Sequence, residues 1–308
     1  MKKNKLNILD CTLRDGGYYN NWHFDKNLIN EYLRVMNIIK VDYVEIGFRF
    51  IDKVKTKGPS AYSEESFLKS LKIPRGLKIG IMINAADFVN NKKIINLVKK
   101  NFKQKRDSVI SLVRIACHNY EIEAMIPVVN WLKKSGYKVG VNIMQIPELS
   151  VQEIKKTVLQ VKKTKADILY FADSLGSLNA TKTKKIIKTI KSNWKGSTGI
   201  HTHDNMGKAL ENSIEAINNS VNWIDCTVTG MGRGPGNTKT EYLILELKRK
   251  NEKNENLVYL LDLIKNFFEP LKDKYKWGSN PFYYFAGLNS IHPSFVQEML
   301  SEESFQPE

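Results

Sequence analysis

The chain has 308 residues, 42% hydrophobic and 26% charged, a globular profile that excludes a disordered or fibrous chain. No apolar run is long enough to span a bilayer, and the start MKKNKLNILD meets Asp10, Arg14 and Asp15 before a signal-peptide core forms, so a cytoplasmic protein with no membrane partner is expected. A net charge of +16 raises the question of nucleic acid. The lysines, however, lie in NKKIINLVKKNFKQK, EIKKTVLQVKKTK and ATKTKKIIKTIKS, alternating with apolar residues as solvated helix faces do, so no nucleic-acid partner is expected.

Short apolar, β-branched runs recur along the chain. NILDCTL (7–13) ends on Arg14 and Asp15, and Gly16 and Gly17 follow. YVEIGFR (43–49) carries Glu45 and Arg49. LKIGIMI (77–83) is apolar, and VISLVRIAC (109–117) carries Arg114 and precedes His118. KVGVNIM (138–144) carries Asn142, with Gln145 beyond it. ILYFAD (168–173) ends on Asp173, with Ser174 after it. STGIHTH (197–203) ends on His201 and His203. WIDCTVTG (223–230) leads into GMGRGPGN (230–237). Segments with helical spacing lie between, such as KNLINEYLRVMNIIK (26–40), EAMIPVVNWLKKSG (123–136) and GKALENSIEAINNS (207–220). Eight such units predict an α/β chain closed into a (β/α)₈ TIM barrel. A doubly wound sheet would carry G-x-G-x-x-G after its first strand, and RDGGYYN does not match it.

From about residue 250 the pattern is helical. NENLVYLLDLIKNFFEPLKDKY (254–275) predicts a helix stopping at Pro270 or soon after, and NPFYYFAGLNSIHPSFVQEMLSEE (280–303) predicts aromatic turns and a last short helix. The division expected is a catalytic barrel over 1–248 and a helical extension over 249–308. Cys11, Cys117 and Cys226 lie far apart in apolar runs and read as small hydrophobes.

In such a barrel the active site lies at the C-terminal ends of the strands. His201 and His203, at i and i+2 of one strand, face the same side. With Asp15 they suit a divalent ion acting as a Lewis acid, Mn²⁺ first, then Mg²⁺, with Zn²⁺ or Fe²⁺ behind. Gly16 and Gly17 are expected to break the first strand, so that Arg14 and Asp15 turn into one site. Arg14 would then aim at a substrate oxygen while Glu45 fixes it through a bidentate pair. The competing reading makes Arg14, Asp15 and Glu45 a structural ion cluster. In GMGRGPGN, Gly232 and Gly234 let backbone N–H groups approach a substrate anion, and Asn237 closes the loop within reach of the ion or its water.

TLRDG (12–16), VEIGF (44–48), HTHDNMG (201–207) and GMGRGPGN (230–237) together resemble the TIM-barrel metallolyase superfamily named for an Asp-Arg-Glu trio. Its members include 4-hydroxy-2-oxovalerate aldolase, hydroxymethylglutaryl-CoA lyase and isopropylmalate synthase. The resemblance spans the whole barrel. It implies a metal held by Asp15, His201 and His203 and an enolate stabilised by Arg14. The glycine loop lacks the cysteine of the CoA lyases, and RDGGY differs from the RDGxQ of the synthases, so the chain looks closest to the aldolases. It would then act on a small 2-oxo acid and an aldehyde, with a homodimer as the assembly to look for. Where the aldolases place a histidine base, this chain has Tyr18. Tyr18 with its phenol lowered by nearby cations, His23, or a water are the candidate proton carriers, and Tyr283 and Tyr284 are candidates for an acid. A Claisen-type condensing enzyme and a metal-binding barrel without turnover are the alternative functions.

Overall fold

A computed structural model describes residues 5–91, 93–249 and 257–301. Eight strands, β1 (Asn7–Asp10), β2 (Tyr43–Phe48), β3 (Lys78–Asn84), β4 (Ile110–Cys117), β5 (Lys138–Ile143), β6 (Ile168–Asp173), β7 (Ser197–Thr202) and β8 (Trp223–Cys226), close into a barrel in chain order. Every neighbouring pair is parallel, and β1 closes on β8 with Asn7 opposite Trp223 and Asp10 opposite Cys226. This is the expected (β/α)₈ barrel. Parallel strands are covered on both faces, so their sequences are continuous apolar runs; every residue of β2, β6 and β8 is buried.

The first and last strands are shorter than expected. The Asp10 carboxylate accepts the Thr12 N–H (2.9 Å) and hydroxyl, as well as the Tyr32 and Thr240 hydroxyls. That turns the chain into a helix at Thr12–Asn20. After β8 the backbone enters a tight turn in which Thr229 and Gly230 adopt φ of 54° and 74°.

Side chains fill the barrel in two layers. Leu9, Cys11, Tyr43, Leu112, Ile168, Tyr170 and Trp223 form an apolar plug, and a charged layer described below lies among the strand residues that follow. Outside the strands, Ile8, Val44, Ile81, Val113 and Ile224 join the main core with the helices. All three cysteines are buried and free. The lysine-rich segments present solvated faces: Lys182, Lys184, Lys185 and Lys188 are exposed while Thr183, Ile186 and Ile190 are buried.

Helix Thr240–Arg249 completes the barrel. Helix Val258–Leu263 then passes through a π-helical turn at Ile264–Phe268 into Glu269–Tyr275. Pro270 stands at the start of this last segment, where its missing N–H is tolerated, and the helical path ends five residues later. Leu260, Leu263 and Phe268 are buried in the barrel's main core, with Phe268 6.3 Å from the Tyr32 ring. Helices Pro281–Leu288 and Pro293–Ser301 follow. Residues 254–256 of the first expected helix and 302–303 of the last lie outside the described residues. Among the described residues no helix is long and apolar enough to cross a membrane.

Candidate metal centre

Arg14 and Asp15 do not end a strand broken by glycine, as the sequence suggests. They occupy the first turns of helix Thr12–Asn20, and Gly16 and Gly17 lie inside it. Successive helical residues are about 100° apart, so adjacent side chains can serve one site without any break. The glycines serve close packing. A Cβ at Gly16 would lie 2.8 Å from Met231 Sδ, and one at Gly17 2.1 Å from the Trp22 indole. Trp22 folds back under the helix from a left-handed backbone (φ 60°) and donates its Nε1–H to the Arg14 carbonyl at 2.9 Å. Gly17→Ala is therefore expected to destabilise the fold by about 1–3 kcal/mol through overpacking, more than alanine's helix preference returns. Urea unfolding checks this; an unchanged midpoint would mean that Trp22 moves aside freely.

Around this helix runs a buried ionic network. Arg14 Nε pairs with Glu45 Oε2 (2.7 Å), and Arg14 Nη1 with Asp15 Oδ1 (2.5 Å). Arg114 grips both Glu45 oxygens (2.7 and 2.6 Å) and reaches Asp225 Oδ2 (2.5 Å). Asp225 Oδ2 also meets His201 Nδ1 at 2.9 Å. The bidentate grip on Glu45 expected of Arg14 thus belongs to Arg114, and Arg14 has one bond to each of two carboxylates. That leaves Arg14 Nη2 buried without a partner, on a guanidinium 5.8 Å from the Phe48 ring centroid. Two guanidiniums face three carboxylates, so the network has one surplus negative charge.

That surplus sits where a cation fits. One ligand atom each from Asp15, His201 and His203 lie within 4.8 Å of one another. Asp15 Oδ2, His203 Nδ1 and Asn237 Oδ1 are buried with no hydrogen-bond partner. Burial alone would push the Asp15 carboxyl up, but Arg14 beside it, with His201, His203 and Arg233, holds it well below the usual carboxylate range. Burial pushes the His203 imidazole well below its usual range despite Asp15. An ionised carboxylate and a neutral imidazole are the ligating forms. The Asp225 bond to Nδ1 directs the other nitrogen of His201 inward, as carboxylate partners of metal-binding histidines do. In this structure Asn237 Nδ2 lies 3.1 Å from His201 Nε2 and donates to the Thr202 carbonyl at 3.2 Å. Cys11, His201 and Asp225 also lie close together. Burial pushes the Cys11 thiol far up, and His201 and Asp225 are already bonded to each other, so this group is the poorer cation site.

Tyr18 packs edge-on to Trp22 (5.0 Å) and Phe48 (6.2 Å), with the Arg233 guanidinium 5.3 Å from its ring centroid. Burial pushes its phenol up, against the opposing pull of Arg233 and Arg14. Among the protein's own groups, burial outweighs the cations expected to lower the phenol. His23 is exposed, with Nε2 3.1 Å from the Thr56 carbonyl, and does not join the site.

In the glycine loop, a Cβ at Gly232 would fall 1.7 Å from Asn237 Oδ1 and 2.8 Å from Asp15 Oδ2; only glycine fits beside these side chains. Gly234 departs from its expected role, because its N–H already donates to Gln297 Oε1 (3.2 Å) and is not free for a substrate anion. Arg49 is tied to the Asn101 and Ser63 carbonyls and packs 4.8 Å from the Phe102 ring centroid. Asp173 takes the Ser177 and Leu178 N–H groups, and burial pushes it up to about 7. Tyr283 is buried against the glycine loop and, by burial, pushed up to about 12. Tyr284 is exposed.

Sequence reasoning passed over Asp225, the double role of Arg114, and Arg233. The usable signal for Asp225 was its parity with Trp223, which shares the inner face of β8.

A family model described as HMGL-like matches residues 78–265. Among curated proteins, a 4-hydroxy-2-oxovalerate aldolase from Geobacillus genomosp. 3 is 27% identical over 277 residues, 89% of this chain and 80% of its own length. An oxaloacetate decarboxylase from Mycobacterium tuberculosis is 22% identical over 245 residues, 79% of this chain and 70% of its own. Among solved structures, the N-terminal domain of a Bacteroides vulgatus protein assigned as an aldolase superposes with a TM-score of 0.84 at 32% identity, covering 97% of both chains.

Proposed function

Because the chain belongs to the HMGL-like family, whose members include lyases and aldolases of the Asp-Arg-Glu TIM-barrel superfamily, we propose that it is a divalent-metal-dependent aldolase. It makes or cleaves the C–C bond next to a 2-oxo acid, as a 4-hydroxy-2-oxovalerate aldolase does, through an enolate. The observation that carries this reading is the open Arg14 Nη2 beside the unpartnered ligand atoms of Asp15, His203 and Asn237. Retro-aldol cleavage of a 4-hydroxy-2-oxo acid and decarboxylation of oxaloacetate both leave the enolate of pyruvate. The names of the two curated relatives therefore point to one shared charge that the site must stabilise.

Asp15, His201 and His203 would hold the ion, with Asn237 Oδ1 as a further oxygen. The mixed nitrogen and oxygen set suits Mn²⁺ first, with Mg²⁺ or Zn²⁺ behind it. When bound, the divalent ion supplies a Lewis acid worth several kcal/mol to the charge that develops on the 2-oxo oxygen. Arg14 donates from Nη2 to the substrate's carboxylate or enolate oxygen, while Glu45 and Asp15 fix the plane of its guanidinium. Arg114 braces Glu45, and Asp225 braces both Arg114 and His201. In cleavage the C4 hydroxyl loses its proton to solvent and the C3–C4 bond breaks. The aldehyde leaves, the electron pair enters the enolate, and a proton at C3 completes pyruvate. Tyr18 donates the proton in that last step and solvent returns one to its phenolate; in the reverse direction the same oxygen takes the C3 proton.

The test is pyruvate in D₂O with the Mn²⁺-loaded protein, followed by NMR. Deuterium is expected at C3, and EDTA is expected to stop the exchange. No exchange into pyruvate or any other 2-oxo acid would end this reading. Product analysis with 4-hydroxy-2-oxovalerate and with oxaloacetate then separates aldolase from decarboxylase.

A further inference from the structure

We infer that Arg233 selects the substrate: it receives a second anionic group, carboxylate or phosphate, carried by the substrate besides its 2-oxo acid. The inference rests on the aldolase reading and adds the chemical class of that second group.

Arg233 stands in the middle of the glycine loop, which is held on both flanks. On one side, a Cβ at Gly234 would come within 3.0 Å of Pro293 and 3.1 Å of Tyr283, and Gln297 takes the Gly234 N–H. On the other, Gly232 sits against Asn237 and Asp15. With both neighbours fixed, the Arg233 side chain lies against Tyr18, its guanidinium 5.3 Å from the ring centroid. Tyr18 packs on Phe48, which carries the Arg14 guanidinium at 5.8 Å. Two guanidiniums therefore border one aromatic wall. Arg14 is matched by two carboxylates. Arg233 makes no ion pair among the described residues, and its Nε is buried without a hydrogen-bond partner. The side chain is only partly buried, so its terminal nitrogens stay open to an incoming group while Nε is orphaned; a ligand anion supplies the partner the protein does not. His292 adds no second positive charge: burial first, then Arg233 and His118, hold it down to about 4, so it stays neutral.

The charge count agrees. Arg14 and Arg114 against Asp15, Glu45 and Asp225 give one net negative charge. Arg233 brings these six groups to neutrality, Lys57 and Asp87 beside the same aromatic wall offset each other, and a divalent ion would bring the set to two positive charges. A monoanionic 2-oxo acid leaves one positive charge unmatched, and a dianion leaves none.

The test is calorimetric titration of the Mn²⁺-loaded protein with three compounds that share a 2-oxo acid end. They are 2-oxoglutarate, 4-phosphono-2-oxobutanoate and 2-oxopentanoate, which carry a carboxylate, a phosphonate and a methyl at the far end. The wild-type protein is expected to bind at least one of the two compounds with a far-end anion ~10-fold or more tightly than 2-oxopentanoate. Arg233→Gln, which keeps most of the side chain's volume, is expected to erase that preference and to leave 2-oxopentanoate binding within about twofold; Arg233→Lys should restore part of it. The better of the two far-end anions identifies the natural group. Equal binding of all three by the wild type, a preference kept in Arg233→Gln, or equal loss of all three in that variant would each overturn the proposal. Failure of the aldolase reading gives a different pattern: no deuterium enters pyruvate, yet the preference for the ligand with a far-end anion remains.

Discussion

Arg14→Lys is expected to lower turnover about 10²–10³-fold, the usual cost of removing one preorganised donor from a developing oxyanion. Fold and metal content should persist. The reason lies in how the guanidinium is divided. Nε serves Glu45 at 2.7 Å, Nη1 serves Asp15 at 2.5 Å, and Nη2 is buried with nothing to bond. A planar fork holds two directions fixed and aims the third; an ammonium keeps the charge but has no such fork. Lysine at this position would pair with Asp15 or Glu45 and leave the substrate oxygen unserved. The readouts are kcat for cleavage, the rate of deuterium entry into pyruvate, bound Mn²⁺ and circular dichroism. Near-normal turnover with a normal fold would place Arg14 in a structural ion cluster and move the work of holding the enolate elsewhere.

The barrel was legible because parallel strands buried on both faces leave apolar runs at regular spacing; seven strands fall within the runs read from the sequence, and β3 passes its run by one residue, Asn84. His201 and His203 were legible because two histidines at strand spacing are unusual in so apolar a setting. The local structure at Arg14 was not. TLRDGG reads as the end of a strand because two glycines normally weaken a helix. Their presence in one is explained only by Met231 and Trp22, which press on them from distant or folded-back chain. Asp225 was hidden for a different reason. Parity with Trp223 places the acid of WIDC inside the barrel, but its partners come only when β4 and β7 bring Arg114 and His201 to it. Arg233 was the least visible, since its orientation depends on Pro293, Tyr283 and Gln297 at the other end of the chain.

The double replacement His201→Ala, His203→Ala is expected to abolish stoichiometric binding of a divalent ion. Loss of a partner behind a metal-binding histidine alone typically costs 10–100-fold in affinity, so loss of two direct ligands should exceed ~100-fold. The network predicts that the fold survives. Removing His201 takes away one hydrogen bond from Asp225, but Arg114 still pairs with that carboxylate at 2.5 Å. His203 Nδ1 has no protein partner to lose. Asp15 remains paired with Arg14 and so remains ionised, offering a carboxylate too weak to hold the ion alone. The wild-type protein should take up about one Mn²⁺ per chain in a calorimetric or electron paramagnetic resonance titration. The double variant should show a flat titration with an unchanged circular dichroism spectrum. Asp225→Asn provides the graded case, keeping both imidazoles while removing the charge that orients His201, with an intermediate loss expected. Full Mn²⁺ affinity in the double variant would show that the ion sits elsewhere. The two orphaned acceptors of Asp15 and Asn237 would then need another occupant.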